Sequence, residues 1–284
     1  MLTEPTTDAG RAGLAALLRN PRRALVAFDY DGTLSPIVDN PTQARAHPLA
    51  VTTLADLAGH VGLVAIVTGR PAAQAVDLAG FRDLPGLRQL VVVGHYGMER
   101  WDATTAELRS TQPPKGLDAV RAALPAMLDS LGVGDAEIED KNLSVAVHVR
   151  RMASPEEAFA AMREPLERLA HEHSLTAEPG RLVVEIRPPG MDKGIALRHL
   201  VDEVEARTIV FTGDDLGDLA AFAEVERLRR EGRDGLLICS GSAEVTALAE
   251  RADLVLDGPG GVALWMGALV ERLSAGSGSA GTVP

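Results

Sequence analysis

Short apolar runs that end in polar clusters recur along this chain. Residues 24–28 (ALVAF), 63–67 (LVAIV), 90–93 (LVVV), 208–212 (TIVFT) and 236–239 (LLIC) are the clearest. Runs of this length and composition read as strands buried on both faces. Between and after them, apolar positions recur at helical spacing in 48–59, 71–79, 193–205, from Gly217 onward, 243–249 and 261–273, with a last short strand at 254–256. Strand and helix alternating in this way predict a parallel sheet with helices on both faces. Ahead of the first strand, Leu14, Leu17 and Leu18 share one side of a short amphipathic helix within residues 1–20. Residues 274–284 are rich in Gly and Ser and are expected to be a disordered tail.

The rhythm changes between residues 108 and 189, where it reads helix, two strands, helix, two strands. Adjacent strands joined by short turns imply an antiparallel sheet. The predicted fold class is therefore α/β, a doubly wound parallel-sheet core interrupted by an inserted α+β domain. The expected boundaries are 1–107 and 190–273 for the core, 108–189 for the insertion and 274–284 for the tail. Within the insertion, Leu143, Val145, Val147 and Val149 fall on one strand face, and Leu182, Val184 and Ile186 match them on another strand. These faces should pack under the two inserted helices. The opposite face carries Lys141, Ser144, His148, Arg150, Glu185 and Arg187. Each of these has an ordinary alternative: Glu185 and Arg187 as a surface ion pair, His148 as a satisfied structural histidine. As a group their donors and acceptors suit a polyol, and an inserted domain would place them as a lid over the strand ends.

Those strand ends carry the candidate chemistry. Residues 25–34, LVAFDYDGTL, deliver Asp29 and Asp31 into a turn made by Gly32. Ligands bind at the carboxyl ends of strands in open α/β sheets. Two acids one residue apart can divide labour there, one attacking or holding a metal while the other handles a proton. Asp-x-Asp-Gly also occurs in calcium loops and plain turns. Three further signals follow in order: Thr68, Gly69 and Arg70 after the second strand, Asp192-Lys193-Gly194 opening a helix, and Asp214, Asp215 and Asp218 after a late strand. A hydroxyl, a lysine and clustered acids are the parts needed to grip a phosphate and a divalent metal. Two anions do not approach each other unaided, and magnesium, which prefers carboxylate and carbonyl oxygens, is the expected cofactor.

Bulk properties narrow the partner. A net charge of −12 argues against nucleic acid or an anionic membrane. The single cysteine, Cys239, excludes an internal disulfide and suits a reducing compartment, where it reads as a small buried hydrophobe. No segment resembles a signal peptide or membrane span, so the expectation is a cytoplasmic protein, a monomer or weak homo-oligomer, acting on a small molecule.

The four motifs together resemble the haloacid-dehalogenase-like phosphatase superfamily. That resemblance implies Asp29 as nucleophile and magnesium ligand, and Asp31 as general acid then base, its carbonyl also on the metal. It implies Asp214 as the late carboxylate ligand, with Asp215 and Asp218 acting directly or through water. Thr68, Gly69 and Lys193 would hold the phosphoryl oxygens. Within the superfamily, FDYDGTLSPIVDNPTQA, GHYGMERW (94–101), EDKNLSVAVHVR (139–150) and VVEIRPPGMDKG (183–194) are similar to segments of the trehalose-6-phosphate phosphatase family. The likeness spans about residues 24–273. It implies substrate contacts from Arg70, His95, Glu99, Lys141, Ser144, His148, Arg150, Glu185 and Arg187, and a stand-alone phosphatase acting on a sugar phosphate. The last motif departs from the family pattern, with Gly217 for a Thr and Leu219 for a Glu. Another sugar-phosphate hydrolase, a phosphosugar mutase and a non-catalytic sensor are the competing readings. The Glu-x-Arg-Pro run and the Lys-x-x-Ser run favour the hydrolase over the mutase. Asp29, Asp31, Lys193 and Asp214 together speak against a sensor, which needs neither nucleophile nor general acid.

Overall fold

A computed structural model describes residues 2–38, 40–84, 87–241 and 246–278. By its internal contacts the chain forms two compact units, Met1–Arg109 with Asp192–Pro284, and Ser110–Met191.

The first unit is built on α1 (Asp8–Arg19), β1 (Ala24–Phe28), α2 (Pro48–Ala58), β2 (Leu63–Val67), α3 (Ala72–Ala79), β3 (Leu90–Gly94), β4 (Glu99–Asp102) and β5 (Leu108–Ser110). The second unit supplies α4 (Leu117–Ser130), β6 (Glu137–Asp140), β7 (Val145–His148), α5 (Pro155–Glu172), β8 (Thr176–Gly180) and β9 (Val183–Arg187). The first unit resumes with α6 (Lys193–Glu203), β10 (Thr208–Gly213), α7 (Leu219–Arg230), β11 (Asp234–Gly241), α8 (Thr246–Ala249), β12 (Leu254–Asp257) and α9 (Gly258–Gly278). Its sheet has the order β12-β11-β10-β1-β2-β3-β4-β5, parallel from β12 through β3. The expected doubly wound α/β core is present.

Burial of both sheet faces explains the unbroken apolar runs. Val26 and Phe28 point into a core with Leu17 of α1, Leu54 of α2 and Met266 of α9. Leu25 and Ala27 point the other way, against Leu197 of α6 and Phe222 of α7, a layer that also holds Cys239. Each fully buried Leu, Val or Phe contributes roughly 1.5–3 kcal/mol of transfer free energy, which fixes the strand register.

Two details differ from the sequence pattern. Beyond β3 the sheet gains β4, antiparallel with Gly94 opposite Glu99, and then β5. Their polar alternation and partial exposure hid them among loop residues. The last helix runs to Gly278, past residue 273 where the tail was expected to begin, and Ser274 Oγ donates back to the Val270 carbonyl at 2.9 Å. Residues 279–284 of that expected tail, and 243–245 of the expected helix at 243–249, lie outside the described residues. The amino-terminal helix is firmly seated: Thr7 caps α1 by accepting from the Gly10 N–H at 2.9 Å, and Leu14 and Leu17 are buried.

The second unit is a four-stranded antiparallel sheet, order β6-β7-β9-β8. Val145, Val147, Val149, Val184 and Ile186 pack with Leu124 of α4 and Met162 of α5, as the alternation predicts. No helix among the described residues is long and apolar enough to cross a membrane.

Asp253, 2% exposed, ties three elements of the first unit together. Its carboxylate accepts from the Leu237 N–H at 2.7 Å, from Thr7 Oγ1 and from the Arg229 guanidinium, while its carbonyl accepts from the Thr6 N–H at 2.8 Å. Removing one partner of a buried ion pair strands the other charge, at a cost of about 3–5 kcal/mol. Asp253→Ala is therefore expected to lower the urea-derived unfolding free energy by about 3 kcal/mol, and a loss under about 1 kcal/mol would contradict this account.

Candidate active site

The sheet order places β1 beside β10, with Phe28 opposite Thr212, so the next residues on both strands emerge together. The Asp29 N–H donates to the Thr212 carbonyl at 2.8 Å, continuing the ladder one step into the loop. Asp29, Asp214, Asp215 and Asp218 each offer a carboxylate oxygen within 4.8 Å of the others. Three of the four are buried, and Asp215 is exposed. Gly32, at φ 72°, closes the turn after β1, and a β-carbon there would overlap the Asp214 carboxylate. Glycine at this position is what allows the two loops to approach. Ser240 Oγ, donating to the Gly32 carbonyl at 2.7 Å, holds the turn from β11.

Lys193 enters from the start of α6, whose Asp192 accepts from the Ile195 N–H at 2.8 Å as the helix cap. Its ammonium lies 2.8 Å from Asp29 Oδ1 and 2.8 Å from Asp218 Oδ1, and the residue is 5% exposed. The other oxygen of Asp218 accepts from the Asp214 N–H at 2.9 Å and the Asp215 N–H at 3.3 Å. Asp218 thus orients both the lysine and the late acidic loop. The resemblance left Asp218 acting directly or through water, and its fixed spacing from Asp214 was the available signal.

Burial pushes Asp29 well above the usual carboxylate range; Lys193 opposes this, and Asp218, Asp214 and Asp215 add to it. Burial, then Asp218 and Asp215, push Asp214 up to about 8. Lys193 is held protonated: burial works against its charge, but Asp218 and Asp29 outweigh it. One ammonium cannot neutralise four carboxylates. Asp214 Oδ1 is buried with no hydrogen-bond partner among the described residues. An all-oxygen donor set, an excess of negative charge and an unsatisfied buried acceptor fit a hard divalent cation. Asp31 stands apart from this group, since its carboxylate does not join the cluster.

Instead Asp31 pairs with Arg70 in a bidentate fork, both N···O distances being 2.6 Å. Arg70 also donates to the Pro41 carbonyl at 2.9 Å and lies over the Tyr30 ring, 5.7 Å from its centroid. Arg70, which the resemblance implies as a substrate contact, is held on Asp31 in this structure, because a guanidinium fork matches a carboxylate well. Thr68 is 2% exposed, and its Oγ1 accepts from the Arg70 N–H at 3.1 Å. That bond leaves its own proton available to a ligand.

His95 and Glu99, which the resemblance implies as sugar contacts, are both buried in this unit. His95 is 0% exposed, and the Glu99 carboxylate accepts from the Ala72 N–H at 2.7 Å. Because α3 begins after Pro71 without a side-chain cap, Glu99 of β4 satisfies its first turn.

In the second unit, Ser144 Oγ donates to Glu185 Oε1 at 2.6 Å, and Lys141 Nζ lies 3.4 Å from the same oxygen. Glu139, which sequence reasoning did not single out, joins the group: its carboxylate lies 3.8 Å from Lys141 and 2.9 Å from His148 Nε2. Its signal was its place two residues before Lys141 on one strand face. Arg187 is drawn to Glu178 at 3.6 Å and to the Met191 carbonyl. Arg150 is exposed in the turn after β7, off the regular strand face.

Known proteins resemble this chain in sequence and in fold. The sequence model of the trehalose-phosphatase family matches residues 27–255. The trehalose-phosphate phosphatase of Mycobacterium marinum is 32% identical over 261 residues, covering 89% of this chain and 63% of that protein. An uncharacterized glycosyl hydrolase of Mycobacterium tuberculosis is 33% identical over 215 residues, covering 72% of this chain but only 15% of its own length. The chain thus spans less than two thirds of these relatives. The C-terminal domain of Candida albicans trehalose-6-phosphate phosphatase shares the fold, with a TM-score of 0.74 at 20% identity over 95% of this chain and 99% of that domain. With the acidic cluster, the lysine and the order of motifs in place, the chain belongs to the trehalose-phosphatase family.

Proposed function

We propose that this protein hydrolyses trehalose 6-phosphate to trehalose and phosphate, with magnesium as its metal and Asp29 as its nucleophile. The observation that carries the reading is Asp29, buried at a strand end, 2.8 Å from the Lys193 ammonium and inside a four-carboxylate cluster. A carboxylate in that place has little structural use, and phosphate-monoester hydrolysis needs a nucleophile with charge neutralisation. Asp29, Asp214 and Asp215, with the Asp31 carbonyl, would hold the metal. When bound, it would neutralise charge between the carboxylates and the phosphoryl oxygens.

The chain's own residues then account for the two displacements. An Asp29 oxygen forms a bond to phosphorus as the bond from phosphorus to the sugar oxygen breaks. Asp31 gives its proton to that leaving oxygen. It next takes a proton from water, which attacks phosphorus, releases phosphate and restores Asp29. Thr68, Gly69 and Lys193 hold the phosphoryl oxygens throughout. Because Arg70 grips Asp31, proton chemistry at Asp31 requires that pair to part.

For the sugar we propose the second unit as the cap, its group of Lys141, Ser144, His148 and Glu185 supplying donors and acceptors for hydroxyls. Family membership supports the choice of trehalose 6-phosphate over other sugar phosphates.

Asp29→Asn is expected to keep the fold and lower phosphate release from trehalose 6-phosphate by at least ~10³-fold, about 4 kcal/mol of barrier. Near-normal release from a deamidation-free preparation would overturn the mechanism.

The metal is tested by chelation and by pH. EDTA should stop turnover and magnesium restore it. In the metal-free protein Asp214 keeps its proton up to about 8, whereas an unfolded aspartate loses it near ~4. The folded state binds more protons in that window, so metal-free stability should fall as pH rises through it. Magnesium replaces the proton, and its Tm increment should be larger near about pH 8 than near about pH 6. Equal increments at the two pH values, or full turnover in rigorously metal-free buffer, would remove the metal from this site.

Sugar recognition is tested by Glu185→Ala. Hydrolysis of trehalose 6-phosphate should fall more than tenfold, or by more than ~1.4 kcal/mol, while p-nitrophenyl phosphate hydrolysis changes far less. Unchanged rates on both substrates would leave Glu185 as a structural partner of Ser144 and Lys141 alone.

A further inference from the structure

Directly beyond β3, three successive residues lie in the left-handed region: His95 at φ 48°, Tyr96 at φ 56° and Gly97 at φ 114°. Glycine adopts such angles freely, whereas a bulky aromatic residue does not. Strain of this kind persists only where the surroundings hold it, and it gathers at functional sites.

Here the surroundings are the loop of Thr68, Gly69 and Arg70. The Tyr96 N–H donates to the Thr68 carbonyl at 3.1 Å, and the His95 N–H donates to the Arg70 carbonyl at 3.0 Å. Gly69, between those two carbonyls, faces the Tyr96 side chain: a β-carbon on it would come within 2.5 Å of the phenol oxygen and 2.7 Å of Cζ. Two residues further, Glu99 holds the Ala72 N–H. The left-handed turn therefore grips the loop at both flanking carbonyls, and the ring covers the residue between them. A right-handed backbone at residues 95 and 96 would aim those N–H groups elsewhere.

We propose that Tyr96 is a positioning residue for phosphoryl transfer, acting through Gly69. Resting on the phosphatase reading above, the inference gives the strained turn a purpose: its ring and backbone fix the plane of the loop. The Thr68 hydroxyl and the Gly69 amide then meet the phosphoryl oxygens already oriented. Preorganised donors stabilise developing charge without reorganising during the reaction, and small misplacements of such groups are costly in rate. A residue that merely packs would lose stability and activity together. Tyr96 predicts the opposite pattern, because replacing it with glycine relieves the strain while releasing the loop.

The test uses the full chain with magnesium and compares Tyr96→Gly, Gly69→Ala and the double variant. Tyr96→Gly should melt at or above the parent's temperature. Its kcat on trehalose 6-phosphate should fall by about tenfold, and its affinity for orthovanadate, measured by calorimetry, should weaken by a similar factor. Gly69→Ala alone should be more damaging, since its methyl group meets the ring. In the double variant that clash is gone, and the loss of vanadate affinity should be smaller than the product of the two single losses. Unchanged vanadate affinity in folded Tyr96→Gly, or simple multiplication of losses in the double variant, would overturn the proposal. The vanadate arm needs no turnover. If the parent released no phosphate from trehalose 6-phosphate yet bound vanadate with the expected Tyr96 dependence, the assignment of substrate would fall while the positioning role stood.

Discussion

Much of this molecule depends on the unequal charge around Lys193. Its ammonium bridges Asp29 and Asp218 at 2.8 Å each, yet two further carboxylates crowd the same space. Buried like charges are tolerated only when something neutralises them, by proton, lysine or metal. The site is thus unsatisfied by the protein alone, and this is what makes it receptive to a cation. The parallel pair β1–β10, the glycine turn at residue 32 and the Asp192 cap on α6 all serve to hold that unfavourable cluster together.

The core motifs were legible because their signals are local. Asp29, Thr68 and Asp214 end apolar strands, Lys193 follows a helix cap, and burial on both faces follows from uninterrupted apolar runs. Pairings made across strands were less legible. Nothing in the residue order says that Arg70 turns to Asp31, or that Glu99 serves the first turn of α3, since both depend on which loops the sheet order brings side by side. Strands β4 and β5, at the end of the sheet beyond β3, were obscured for another reason. Half-exposed strands carry polar residues, and their composition overlaps with that of loops.

In the second unit, alternation alone marked the apolar face of β7 and β9, and the structure packs it under α4 and α5. The polar face needed more than periodicity. Glu139, Lys141, Ser144, His148 and Glu185 form one connected group, whereas Arg150 lies just past the end of β7. Period-2 counting extended the strand two residues past His148, as far as Arg150.

The pairing of β1 with β10 has a consequence for how the molecule comes into being. These neighbours in the sheet are separated in the chain by β2, β3, the whole second unit and α6. Closing so long a loop costs entropy before the contact repays it, and topologies dominated by distant pairings fold slowly. The half-site at Asp29 is synthesised long before its partner at Asp214. Four carboxylates therefore meet only after β10 has docked, and chains shortened before that strand carry Asp29 without the three acids that crowd it.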